Sequence, residues 1–273
     1  MSTFTKLYLT TLGAPYTPAT LRGAWDDTAA AVTKMLSSGK EGYDETVSVA
    51  REETSTNTSW DVLLYRGVSC PLAAQTISGD LNVMIGAYES VAAADFNWHV
   101  HVYVTTGDSD TVRGTLLTDY TESAGTNEWG TAQTTSGLAL NAATAMSSVV
   151  ASSGDRIVVE IGYVARNSVA TYDSGTLFYG TTNLGVQLSD LTAGADPNLY
   201  AGYVSFSNAI TENNPTVRLT QSPVRVLRNA DSSVNNVRLT QASVRVMYNV
   251  PTGIKRPNFV GIPFYPIKIG VFP

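Results

Sequence analysis

The sequence predicts an all-β protein: an antiparallel, jelly-roll-like β-sandwich followed by a β-rich C-terminal arm. Three observations lead there. The 273 residues are 43% hydrophobic and only 15% charged, against about 25% charged in an ordinary soluble domain. Gly, Thr, Ser, Val and Tyr fill the space left by Lys, Glu and Leu, and β-branched and aromatic side chains suit a pleated surface while Gly supplies turns. Several short segments alternate apolar and polar residues with period two. Turn residues separate these segments, and no amphipathic stretch is long enough to serve as a crossover helix, which favours a sandwich over an α/β fold.

Taken in order, residues 5–10 read as a first strand, ended by Gly13, Pro15 and Pro18. Residues 26–36 admit two readings: a short helix capped by Asp26 or Asp27, or an irregular loop followed by a strand near 33–36. Residues 60–66 and 81–88 are strong strand candidates. In 98–104, Trp98, Val100, Val102 and Val104 share one face while His99, His101 and Tyr103 share the other, as in a half-buried strand. A turn at 107–110 precedes a strand over 115–120. Residues 122–137 are too polar and Gly-interrupted for a core element, and 138–150 suggest one strand near each end. The best strand is Arg-Ile-Val-Val-Glu-Ile-Gly-Tyr at 156–163, introduced by a Ser-Gly-Asp turn. Strands over 176–179 and 203–206 complete the body.

Charge divides the chain. Up to Glu212 there are nine basic residues against twenty-two acidic ones, whereas from Asn213 onward there are eight basic residues and Asp231 alone. We therefore expect a body over 1–212, a basic repeat over 213–250 and a Pro-rich apolar arm over 251–273. An acidic body argues against nucleic acid as its partner. The repeat is explicit: residues 217–229, VRLTQSPVRVLRN, recur twenty positions later as VRLTQASVRVMYN at 237–249, with nine of thirteen identical. Apolar parity switches within each copy, so a bulge or bend at Gln221-Ser222-Pro223 would keep both apolar pairs inward. Arg218, Arg225, Arg238 and Arg245 would then all face out, suited to carboxylates of the acidic body or of a neighbouring subunit, with a solvated strand face as the alternative. The arm holds five prolines together with Phe259, Phe264 and Tyr265. It is too apolar to leave in water and resists a central strand, so it would lie extended in a groove of its own body or of a neighbour.

The search for chemistry finds little. The glycines are not followed by the helix and Lys of a phosphate cradle, and a Gly-x-Ser-x-Gly elbow is absent. His99 and His101 lie on one strand face and could hold a metal with an acidic third ligand, but an outward polar strand face is the stronger account of them. Cys70 is the only cysteine; it excludes an internal disulfide and reads as a small filler or a free thiol near a turn. Asp108 with Asp110, or Asp190 with Asp196, supply too few oxygens in one loop for calcium. No catalytic residue, metal or cofactor is therefore expected. Trp60 and Trp98 suit the interior, while Trp129, in the polar loop, is the candidate for an exposed ligand or interface contact. Residues 1–10 lack the apolar core of a signal peptide, and no run of residues is long and apolar enough to span a membrane.

The Val-Arg-Leu-Thr-Gln segment at 237–241, followed by a valine-rich strand and Tyr248-Asn249, resembles a segment near the C-terminus of many tailed-bacteriophage virion proteins. Here it occurs twice, a departure from the usual single copy. Residues 60–66 and 153–160 are similar to β-sandwich modules of such virions. The resemblance implies a non-enzymatic capsid decoration, cement or tail-associated protein, located in the virion and forming homo-oligomers. Its partners would be other virion proteins, the major capsid protein or tail components. The alternative is a carbohydrate- or receptor-binding module of a phage tail.

Overall fold

The computed structural model describes residues 2–40, 46–52, 59–121, 128–131, 137–139, 144–166, 173–180 and 201–213, with the short segments 218–220, 226–227, 238–239 and 245–247. The chain divides into two units, Met1–Asn214 and Pro215–Pro273.

The first unit is built around two strands whose ten positions are all buried, β7 (Phe96–Thr105) and β12 (Arg156–Ala165). They pair antiparallel along their whole length, from Arg156↔Thr105 to Ala165↔Phe96. The other strands are β1 (Ser2–Gly13), β2 (Val32–Ser37), β3 (Thr46–Glu52), β4 (Trp60–Val68), β5 (Gln75–Ile77), β6 (Asp80–Glu89) and β8 (Val112–Thr121). They are joined by β9 (Gly137–Ala139), β10 (Thr144–Ala145), β11 (Val149–Ala151), β13 (Ser174–Gly180) and β14 (Tyr203–Glu212). Hydrogen bonding runs unbroken through β3-β13-β6-β14-β1-β2-β4-β12-β7-β8, and β9 and β10 add to β6, making one sheet of twelve strands. β5 and β11 form a separate two-stranded sheet.

All described elements of this unit are strands, but the expected antiparallel, jelly-roll-like sandwich is not the architecture. A jelly roll splits its strands between two antiparallel sheets. Here a single sheet is continuous from β3 to β8 and contains a parallel pair, β2 with β4. Its core draws Val49 from one edge strand and Leu117 from the other, along with Leu7, Leu36, Val100 and Ile161. The sheet therefore turns over its own core, as twisted sheets beyond about ten strands tend to do. Register shifts supply the bends: between Phe4 and Lys6 where β1 meets β14, between Leu9 and Gly13 where it meets β2, and at three places between β7 and β8. Alternating sequence signals reveal faces, not whether neighbouring strands close one sheet or two.

Two local expectations are corrected or decided. Residues 26–36 form no helix: the Asp27 carboxylate accepts the Ala29 amide at 2.8 Å, Ala31 N–H bonds Thr28 C=O at 3.1 Å, and the chain then enters β2. This is side-chain-capped turn chemistry that stops after one turn. β7 is buried on both faces rather than one. Trp98, Val100, Val102 and Val104 join the core, while residues 14–31 cross the opposite face as a strap, described below.

In the second unit, β15 (Arg218–Thr220) pairs with β18 (Arg245–Met247), and β16 (Val226–Leu227) with β17 (Arg238–Leu239), both antiparallel. The register sets Leu219 opposite Val246 and Val226 opposite Leu239. The bend expected at 221–223, and the whole 251–273 arm, lie outside the described residues.

Gly162 marks the tightest approach in the sheet. It sits at the register shift between β12 and β4, where a Cβ would stand 1.8 Å from the Val62 carbonyl oxygen. Backbone, not a flexible side chain, would have to move. Gly162→Ala should therefore cost about 3 kcal/mol, the upper end for overpacking, and a thermal melt of the variant beside the unaltered chain measures it.

Candidate functional site

Among the described residues, the polar face of β7 gathers a cluster of titratable groups. Register places Glu160 of β12 opposite His101, Gly162 opposite His99 and Val158 opposite Tyr103. On the far side of β12, β4 contributes Arg66 opposite Glu160. β8 contributes Asp119 from an irregular stretch of its ladder, with φ at 35°, the left-handed region that Asp tolerates better than most residues.

Glu160 is wholly buried, so its carboxylate needs donors in place of water. It receives the amide of Gly23 at 2.8 Å, the amide of Arg22 at 3.2 Å, the indole N–H of Trp25 at 2.9 Å and the hydroxyl of Tyr103 at 3.2 Å. Three of these four come from the strap. Burial, then the adjacent Glu160 charge, pushes the Tyr103 phenol well above its ordinary range, so it serves as a donor. Gly23 has no room for a side chain, since a Cβ would lie 2.4 Å from the Trp25 indole nitrogen.

Trp25 also stacks on His99, with centroids 4.0 Å apart. His99 Nδ1 lies 2.6 Å from Asp61 and its Nε2 lies 3.3 Å from Asp119. His101 Nδ1 lies 3.0 Å from the Asp119 carboxylate and 3.3 Å from the Asp119 amide, and its buried Nε2 has no partner among the described residues. Burial works against the Asp119 carboxylate, but the Ala24 amide and the two imidazoles outweigh it and hold the group below its usual range. The strap is fastened at further points: Tyr16 hydroxyl to Thr105 at 2.7 Å, Thr20 to the Asp110 carboxylate at 3.0 Å, and the Asp26 and Asp27 amides to Asp61 C=O.

This assembly gathers the side chains of an acid–base site, with the Asp61 side chain 19% and the Asp119 side chain 34% exposed. Of the two described cavities, a groove of about 320 Å³ is lined by β1 residues such as Lys6 and Tyr8. The other, of about 200 Å³, is lined by residues including Leu21, Thr33, Leu63 and Arg66. Neither is lined by His99, His101, Asp119 or Glu160. Among the described residues, no three His, Cys, Asp or Glu side chains are arranged to hold a metal. The cluster acts as a fastening that binds the strap to the sheet.

The other sequence candidates are placed as follows. Trp129 is buried, 1% exposed, and its expected exposure is corrected. Its ring lies 4.6 Å from Trp98 and 5.4 Å from Tyr163, with Phe96 at its edge, while its amide donates to Phe96 C=O at 2.9 Å. Trp98 is buried and Trp60 is half-buried against the same core. Asp108 pairs with Arg156 and Asp110 serves the strap, so these two carboxylates have separate tasks. Burial, then Glu212, raises the Cys70 thiol, the opposite of what a thiolate nucleophile needs. Arg218, Arg238 and Arg245 lie in β15, β17 and β18. Arg225, Phe259, Phe264, Tyr265, Asp190 and Asp196 lie outside the described residues.

Sequence reasoning missed Glu89, 1% exposed at the end of β6. Its carboxylate accepts the Phe96 amide at 3.1 Å and its own amide bonds Gly130 C=O at 3.1 Å, so it ties down the segment that carries Trp129. Burial raises this carboxyl to about 8, Glu128 and Asp95 add to the effect, and the Phe96 amide opposes it. Its place at a strand end before a loop gave no sequence signal.

No model of a known protein family matches the chain, and no curated protein matches it. Among solved structures it is similar to a selenomethionine-labelled α-amino acid ester hydrolase, with a TM-score of 0.34 and 11% identity. The alignment covers 74% of this chain and 36% of that one. Likeness at that level carries no functional argument.

Two outcomes are expected. Glu160→Gln replaces an acceptor-only group with one that turns an NH₂ toward donors, at a cost of about 2 kcal/mol. Limited proteolysis of the variant should open the strap at 14–31 before the rest of the first unit. For Glu89, the folded state holds a proton that the unfolded chain releases, so stability falls as pH rises from about 4.5 to about 8. Melts of Glu89→Gln across that range should show a flatter profile, with a higher melting temperature than the unaltered chain above pH 8 and convergence near pH 4.

Proposed function

We propose that the chain is a non-enzymatic virion structural protein, a capsid decoration or cement protein or a head–tail component, acting through subunit–subunit contacts. The observation that supports the reading is the duplicated basic repeat, whose strands pair copy to copy and follow a first unit of opposite charge. Basic strands and an acidic body on neighbouring subunits are complementary surfaces, and repetition in a particle turns weak contacts into firm ones. The carbohydrate-binding alternative loses its leading residue, since Trp129 is packed in the core.

Immunogold labelling of purified phage particles, with antibody against the first unit, should decorate capsid or tail. Label confined to the unassembled fraction rejects the reading. Removing residues 215–273 should lower particle-bound protein by about tenfold or more if weak contacts are summed by multivalency, with near-ultraviolet circular dichroism reporting an intact first unit.

A further inference from the structure

Each repeat copy pairs, among the described residues, with the other copy and not within itself. β15 and β16 both belong to the first copy, yet each pairs with a strand of the second. Among the described residues, neither copy pairs its own two strands. The two ladders are also equivalent. Advancing a first-copy residue by the twenty-residue repeat and moving its partner back by the same amount turns Arg218↔Met247 into Arg238↔Leu227, and Leu219↔Val246 into Leu239↔Val226; both pairs occur. The unit therefore has an internal two-fold relation of the kind that governs isologous dimers, in which the same surface is used by both halves.

That symmetry fixes the partner. A first copy presents the same strand edges to any second copy, whether it lies twenty residues along the same chain or on another chain. In one chain the ten residues 228–237 join β16 to β17, and such a tether gives an effective concentration of roughly millimolar. Dilute chains therefore close on themselves. Where many chains are held side by side, the local concentration of neighbours reaches the same range, and exchange replaces each ladder by an identical one. We infer that the repeat is a homotypic coupling module, in which the first copy of one chain pairs with the second copy of another chain in the register seen within one chain.

This names a partner for the subunit contacts proposed above, and rests on that reading only in supposing that chains meet. Its test is made on purified protein, so its failure and the absence of the protein from particles are separate results. Leu219 and Val246 are directly opposed, and opposed antiparallel residues lie within disulfide reach. With Cys70→Ser removing the native thiol, chains carrying Leu219→Cys are mixed with chains carrying Val246→Cys at about millimolar concentration and oxidised. Non-reducing electrophoresis should show about tenfold more linked dimer in the mixture than in either variant alone, as expected when only the mixture sets thiols opposite each other between chains. Deleting residues 230–249 removes one copy and the internal competitor. That chain should sediment as a dimer, at twice its own chain mass, while the full chain stays a monomer when dilute, since two first copies can form the same register. Equal dimer yields in mixture and controls, or an unchanged mass for a deletion variant with an intact first unit, would overturn the inference.

Discussion

A carboxylate with no water must be given other donors, and much of the first unit's polar architecture follows from placing one on an interior strand of the sheet. Glu160 interrupts the apolar run from Ile157 to Ala165 of a strand that is covered on both sides. Left unpaired there, its charge would cost several kcal/mol. The chain answers with the strap, whose backbone amides at Arg22 and Gly23 and whose Trp25 indole converge on the carboxylate. Once the strap is drawn in, the histidines of β7 are covered as well, and Asp61 and Asp119 become their hydrogen-bonding partners. One buried charge and the segment that satisfies it thus bring His99, His101, Asp61 and Asp119 together on one face of the sheet.

The parts legible from sequence are those whose physics is local. The alternation of Trp98, Val100, Val102 and Val104 shows the core face of β7, and the Ser-Gly-Asp turn shows where β12 begins, because both depend on neighbours along the chain. Glu160 was visible as a polar residue in a strand, but nothing local says that a segment more than a hundred residues earlier supplies its donors. Trp129 is the converse case. Its surroundings in sequence are polar, and its burial depends on a pocket made by Phe96, Trp98 and Tyr163, with Gly175 leaving the space in which these rings meet. Average composition describes a loop well and its single anchoring residue badly.

Sheet closure was illegible for a related reason. Period-two patterning tells which residues face inward, and a sandwich and a folded-over sheet demand the same inward residues. What separates them is whether a hydrogen-bonded ladder continues across the bend. β1 decides this, because it pairs with β14 on one side and β2 on the other, with register shifts in both ladders. Such shifts are set by which backbone groups find partners, and side-chain identity reports on them weakly.

The reciprocal pairing of the repeat carries a parity rule. Two copies satisfy each other, whereas an odd copy would leave its strand edges open. A chain with one or three copies would be driven to associate at any appreciable concentration, while a chain with two can remain self-contained until crowded by its own kind. Duplication in this form is a way of making association conditional, converting a contact that would be permanent into one governed by how densely the subunits are arrayed.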